Sequence, residues 1–372
     1  MSAPLDGLLV LDFSTLLPGP LATLMLAESG AEVIKVERPQ AGAEARKSAP
    51  LWDGESLGFS LLNRGKKSLS IDLKAEGSVA ALKPLIEKAD IIVEQFRPGV
   101  MARLGLGYEA VKAINPDIIY CSITGYGQTG PKANAAGHDL NYMGDSGVLS
   151  TSCGPADRPS VPPALVADVG GGTYPAVVNI LLALRQRDQT GEGCHLDISM
   201  SDGTFAFSYW SFAKGAVLNE PVVNGGERLT GGSPRYHLYP TLDGRHVAVG
   251  AIEQKFWDTF CDAINLAPAL RDDSINPEKT IQAVGDILKN RAAADWEDLL
   301  THADCCCTIV RTMNEVLDDP HLNARGVFDW KVQSDKGGTA PALPVPISPE
   351  FRADSKTAMP APVLGADNNR LK

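Results

Sequence analysis

His138 and Asp168 stand thirty residues apart, each set in a short polar or glycine-rich turn. The first lies in Gly137-His138-Asp139-Leu140-Asn141-Tyr142, the second in Ala167-Asp168-Val169-Gly170-Gly171-Gly172. An imidazole and a carboxylate brought together over a ligand can take a proton from one face of a carbon and return it to the other. On spacing alone Asp168 has two readings: half of such a pair, or a helix N-cap contributing about 0.5–2 kcal/mol. Gly170–Gly172 exceed what a cap needs, and would let backbone come close to a ligand. His138 is likewise either a working base or a histidine satisfied in its loop. Glu253, between a hairpin strand and a helix, is a further candidate or a first-turn acid favoured by the helix dipole.

The elements that must position these groups follow from the apolar pattern. Leu8–Phe13 is a short apolar run of the kind buried in parallel sheets. A turn at Pro18-Gly19-Pro20, a helix from Leu21 to Glu28 stopped at Gly30, and a strand Glu32–Glu37 complete a βαβ unit. The rhythm continues with a helix over 78–88, strand Ile91–Glu94, a helix over 100–114, strand Ile118–Ile123, a helix over 174–187 and a strand at His195–Ser199. Pro175 fits only a first helical turn, so Asp168 is expected just before a helix N-terminus, where N–H groups favour an anion. Right-handed crossovers then give an α/β fold, a Rossmann-like doubly wound parallel sheet. The first turn lacks G-x-G-x-x-G, which removes the main support for nicotinamide chemistry.

The domain reading is a large α/β domain over 1–214, a linker over 215–234, a smaller α+β domain over 235–318, and a segment 319–372 returning to the large domain. The small domain opens with a hairpin, Tyr236–Tyr239 and His246–Val249 about Asp243-Gly244, followed by helices near 254–265, 277–290 and 294–302. Cys305-Cys306-Cys307 reads as core strand rather than a tetrahedral metal site.

Composition narrows the function. With 372 residues, 44% hydrophobic and 21% charged, the chain has the make-up of a folded globular protein. A net charge of −11 argues against nucleic-acid or anionic-membrane partners. Apolar runs fall far short of a membrane span, Met1–Asp6 has no signal-peptide character, and Arg370-Leu371-Lys372 is no peroxisomal tripeptide. Seven scattered cysteines fit a reducing, cytoplasmic setting. An anionic ligand would need local cations. Arg64-Gly65-Lys66-Lys67, Lys74, Arg97 and Arg103, with Arg38 directly after a strand, supply a set suited to a polyphosphate.

At this point the residues carry a resemblance. Leu16–Pro20, Val33–Pro39, Arg64–Leu69, Ile71–Lys74, Phe96–Val100, Ser122–Gly127 and Asp318–Leu322 follow one another in the order of the family III CoA-transferase and α-methylacyl-CoA racemase superfamily. The stretches Gly137–Tyr142 and Gly250–Glu253 resemble its racemase branch. The resemblance implies His138 and Asp168 as acid and base, supported by Glu253. It implies CoA and acyl contacts from Arg38, Ile71, Asp72, Leu73, Lys74, Gln95, Phe96, Arg97 and Arg103. Gly137, Asp139, Leu140, Asn141 and Tyr142 complete that set. It also implies an interlocked homodimer, an acyl-CoA thioester substrate, and neither a metal nor a redox cofactor. The activity implied is 1,1-proton transfer at C2 of a 2-methylacyl-CoA, the Gly170–Gly172 amides being candidate donors to the enolate oxygen. The alternatives are CoA transfer between carboxylic acids, with Asp168 as nucleophile, and a non-enzymatic CoA-binding regulator. One departure from the racemase pattern is Ala164, where an Asn is usual.

Overall fold

The computed structural model describes residues 3–152, 154, 157–352 and 358–371. Met1, Ser2, 353–357 and Lys372, on which parts of the terminal readings fall, lie outside the described residues. Two compact units emerge: Met1–Ser146 with Ala164–Thr204 and Pro320–Lys372, and Gly147–Pro163 with Phe205–Asp319. The boundary therefore falls at residue 204 rather than 214, and 147–163 leaves the large unit; the expected linker 215–234 lies inside the second unit. The run 205–217 is helical (Thr204–Ser208 and Tyr209–Val217), so the Gly and Pro content beyond it set no boundary.

The first unit is built on a six-stranded parallel sheet. Its strands are β1 (Leu9–Asp12), β2 (Glu32–Glu37), β3 (Lys67–Ser70), β4 (Ile91–Glu94), β5 (Ile119–Thr124) and β6 (Cys194–Ser199), in the spatial order β3-β2-β1-β4-β5-β6. Strands β2, β4 and β5 are buried almost throughout, as in a sheet covered on both faces, and Val10, Leu11, Ile34, Ile91, Val93 and Ile119 are fully buried. The order reverses between β1 and β4. At such a switch point the loops leaving the strands' carboxyl ends diverge and leave a crevice.

Helices α1 (Pro18–Glu28), α2 (Leu57–Asn63) and α3 (Ser78–Ile86) link the first strands. The single helix expected over 100–114 is two, α4 (Val100–Arg103) and α5 (Tyr108–Lys112). Gly105 turns left-handed between them, and at Gly107 an added Cβ would lie 2.9 Å from the Ala102 Cα.

Strand β3 is an addition to the elements expected from the apolar pattern. Arg64-Gly65-Lys66-Lys67, which leads into it, is expected to join a ligand-binding basic set, yet Arg64 and Lys66 are buried and spent internally. The Arg64 guanidinium pairs with buried Glu28, which also takes Arg352 from the C-terminal segment. Lys66 Nζ donates to Asp12 Oδ2 (3.2 Å), Thr23 Oγ1 (2.7 Å), Pro20 O (2.9 Å) and Asn63 Oδ1 (2.9 Å). Burial disfavours the Asp12 anion, but Lys35 and Lys66 outweigh it and hold its carboxyl well below the usual range. Lys67 pairs with Glu32 at 2.9 Å. Arg64 and Lys66, so buried and paired, have nothing left for a phosphate.

Residues Val166–Thr190 form one continuous helical stretch of 25 residues, by length and hydropathy apolar enough to cross a bilayer. This is longer than the apolar runs had suggested, because the glycines continue the helix instead of preceding it. Its inner face packs in the unit through Ala176, Val177, Ile180, Ala183 and Leu184, while Val178, Leu181 and Leu182 remain exposed.

In the second unit β7 (His237–Pro240), β8 (His246–Val249) and β9 (Cys307–Ile309) form an antiparallel sheet. Helices Gln254–Ala263, Pro277–Leu288 and Ala293–Ala303 cover it, burying Trp257, Phe260, Val284, Leu288, Trp296 and Leu300. Cys305 and Cys307 join that core; Cys306 between them is exposed with a left-handed backbone (φ 57°).

Removing Glu28 leaves two buried guanidinium groups without a carboxylate partner, Arg64 keeping only the carbonyls of Leu61 and Leu343. Glu28→Ala is expected to cost about 3–5 kcal/mol in urea-monitored unfolding. A loss below about 1 kcal/mol would show that the two arginines find water or other acceptors.

Candidate active site

The carboxyl ends of β1, β2, β3 and β4 open into a cavity of about 660 Å³ at the switch point, lined in part by Ser14, Arg38, Ile71, Asp72, Leu73, Lys74, Phe96 and Arg103. Three of the cations read from the sequence meet here. Arg38 is half engaged, donating from Nε to Gly42 O (3.0 Å) and pairing with exposed Glu44 at 3.4 Å. Among the described residues, neither Lys74 nor Arg103 takes part in an ion pair. An apolar wall with free cations at its rim suits a ligand that is polyanionic at one end and carbon-rich at the other.

A second cavity of about 400 Å³ lies at the ends of β4 and β5. Gln95, Phe96, Arg97, Thr124, Gly137, His138, Asn141 and Tyr142 line it, so Phe96 borders both spaces. A ligand whose polyanionic end occupied the first could reach the second along the Gln95–Pro98 loop.

His138 is the N-cap of a short helix, α6 (Asp139–Asp145), with extended backbone (φ −129°). Its N–H donates to Asn141 Oδ1 at 3.1 Å, closing the first turn, and its side chain is exposed at the cavity. Tyr142 Oη donates to Gly137 O at 2.5 Å, and the ring packs edge-on against Tyr126, with centroids 5.2 Å apart. At Gly125 and Gly137 a Cβ would strike the Tyr142 ring at 2.4 and 2.6 Å, so both glycines make room for it.

Asp139 has a structural role that the resemblance did not imply. It is buried, and its Oδ1 accepts the backbone N–H groups of Ala167 (2.7 Å) and Asp168 (2.9 Å). A carboxylate at the start of one helix thus caps the start of another. That second start is a π-helix, Val166–Thr173, running directly into α7 (Tyr174–Thr190). Wide π turns are rare and concentrate at functional sites. Asp168 sits in the first turn of this helix, with the helix start several residues earlier than expected.

Burial pushes the Asp168 carboxyl up to about 6; the Asp139 charge adds to this and His138 opposes it. His138 and Asp168 are therefore close enough to feel one another electrostatically. Burial and the charge of Asp168 likewise push the Tyr142 phenol up, with Arg97 opposing.

The glycines after Asp168 serve packing. A Cβ on Gly171 would lie 2.2 Å from Met200 O, and one on Gly172 2.8 Å from Met200 Cγ. Both are buried within the helix, so the Gly170–Gly172 amides do not lie at a helix start as expected. Leu140 is exposed on the outer side of α6. Glu253 belongs to the second unit, where it is the exposed N-cap of Gln254–Ala263. Ala164, exposed beside the π-helix, has no amide to offer the aspartate.

A profile of CoA-transferase family III matches residues 5–368. The human protein named alpha-methylacyl-CoA racemase is 35% identical, the match covering 94% of this chain and 89% of that one. The protein named acetyl-CoA:oxalate CoA-transferase from Acetobacter aceti is 34% identical, over 93% and 89%. A crystal structure of a CAIB/BAIF family protein from Brucella suis superposes with a TM-score of 0.82 and 28% identity, covering 99% of this chain and 98% of the other.

A carboxyl raised in the folded state is a stability liability above its ordinary range. The neutral form is favoured below about pH 4, and that advantage is lost as pH rises through about 6. Asp168→Asn should therefore match wild type in stability near pH 4. Near pH 8 it should exceed it by about 1 kcal/mol, the shift being discounted for the solvent that reaches this group. Urea titrations at the two pH values give the comparison; an Asn variant that is no more stable at pH 8 would mean that Asp168 is not strained by burial.

Proposed function

The chain belongs to CoA-transferase family III, and from that membership we propose that it epimerises 2-methylacyl-CoA esters by 1,1-proton transfer at C2. The observation that carries this reading is the Asp168 carboxyl, raised to about 6 within electrostatic reach of His138. A thioester acidifies its α-hydrogen without help from a metal or redox group. One residue removes that proton, the other delivers a proton to the opposite face, and the roles exchange with the hand of the substrate. A base that titrates near neutrality serves both directions; a carboxylate of ordinary acidity would be a poor donor in one of them.

The remaining parts fit the same reading. Lys74, Arg103 and Arg38 would hold the phosphates of CoA, and Phe96 would border the pantetheine as it passes toward His138. Binding energy gathered there positions the reacting carbon. Glu253 is carried from the racemase resemblance, as a carboxylate able to orient an imidazole. An interlocked homodimer is supported by the apolar surface left open on α7 (Val178, Leu181, Leu182) and on helix Tyr209–Val217, none of whose residues is buried. A cytoplasmic protein is our reading of the reduced cysteines.

A second reading, CoA transfer with Asp168 attacking the thioester, is favoured by two observations. Ala164 removes the amide that racemases place near this aspartate, and relatives named as CoA-transferases are almost as similar as those named as racemases.

Incubating one epimer of a 2-methylacyl-CoA with the enzyme in D₂O, without any acceptor acid, separates the two. Deuterium entering C2 together with loss of optical purity is expected, and His138→Ala should slow both by about 10²–10⁴-fold. CoA transfer to an added carboxylic acid, with no isotope at C2, would reject the proton-transfer reading.

A further inference from the structure

The three strands around the switch point end alike. Asp12 closes β1, Glu37 closes β2 and Glu94 closes β4, and all three carboxylates are buried. Each accepts a backbone N–H from the loop that follows it: Ser14 N–H to Asp12 Oδ1 (2.9 Å), Ala43 N–H to Glu37 Oε2 (3.0 Å), Phe96 N–H to Glu94 Oε2 (2.8 Å). Ser14, Ala43 and Phe96 all line the 660 Å³ cavity. The shape of that cavity is thus set by three carboxylates behind its wall.

Two of them are neutralised. Lys35 and Lys66 stand 3.6 and 3.2 Å from Asp12, and Arg46 makes a two-pronged pair with Glu37 at 2.7 Å. Glu94 has no ion pair among the described residues. We propose that Glu94 is a positioning residue for the CoA ester: it fixes the Gln95–Pro98 loop through the Phe96 amide, and, having no cation of its own, releases the anionic ligand as the pH rises. The inference rests on the CoA-ester reading above, and adds to it how the site's grip is regulated.

The physical basis is simple. Burial pushes the Glu94 carboxyl up to about 7, while the Ser122 hydroxyl and the Phe96 amide oppose that rise. Its neighbours are pushed away from it in both directions. On β5, Tyr120 and Cys121 are both pushed above it, by burial first and then by Glu94 itself. On β6, His195 shares Ser122, its Nε2 lying 3.0 Å from Oγ; burial pushes its imidazole down, and Asp197 and Glu109 oppose this. From β1 and β2, Asp12 is matched by Lys35 and Lys66. From its own loop, Arg97 points to the smaller cavity. The phosphates of CoA, placed in a cavity of low polarity, favour the neutral acid, so binding takes up a proton at Glu94.

Calorimetric titration with coenzyme A at pH 6 and pH 8.5 tests this without turnover. Wild-type Kd should rise about three- to tenfold more between these pH values than that of Glu94→Gln, in which a neutral amide can still accept the Phe96 N–H. The difference between the two profiles removes the titration of CoA itself. Glu94→Ala should bind about tenfold more weakly at both pH values, with faster hydrogen exchange at the Phe96 amide. Identical pH profiles for wild type and Glu94→Gln, or wild-type affinity in Glu94→Ala, would falsify the inference alone. A wild-type protein that does not bind CoA at either pH overturns the inference together with the reading beneath it.

Discussion

One carboxylate oxygen holds the candidate site together. Asp139 Oδ1 accepts two backbone N–H groups from the turn that carries Asp168, while the same residue begins the helix that His138 caps. Residues thirty apart in sequence are thereby tied together through one side chain. The same oxygen also acts electrostatically. It is one of the charges that keep Asp168 reluctant to ionise. Burial does most to raise the proton affinity of Asp168, but one contact fixes the geometry and adds to that rise, which leaves the site little tolerance for change at residue 139.

The crossing of the π-helix with Met200 is the second constraint. Gly171 and Gly172 let the chain at Met200 sit against the helix at distances no side chain would permit. This contact ties the turn bearing Asp168 to the end of β6, and so to the sheet. The catalytic candidates are therefore anchored on one side to α6 and on the other to the edge of the sheet, as a site requiring sub-ångström placement demands.

Much of this was legible in the sequence. Glu32–Glu37 and Ile91–Glu94 could be bounded to the residue, because a short run rich in Val and Ile between turns suits a strand buried on both faces far better than a helix. His138 and Asp168 were visible as titratable groups in turns. What was not legible is where charge goes when it is buried. Lys66 and Arg64 look like any surface cations until the carboxylates that receive them, Asp12 and Glu28, are located in three dimensions. The same holds for Asp139, whose partners are backbone amides that leave no mark in the residue string. The glycine triplet misled for a related reason: a glycine that admits a ligand and one that admits a neighbouring chain look alike until the neighbour is seen.

The pairing of Glu28 with both Arg64 and Arg352 has a consequence for how this chain comes to exist. Glu28 and Arg64 leave the ribosome about 290 residues before Arg352 does. The edge of the sheet waits as well, since Ser68 and Ser70 on β3 donate backbone N–H groups to Asp367 and Asn368. The first unit is thus built from segments on either side of the second, which must emerge in between. Vectorial synthesis cannot finish the first unit first. Until Arg352, Asp367 and Asn368 emerge, the nascent chain carries an uncapped sheet edge and a half-neutralised buried charge, the kind of intermediate that chaperones attend.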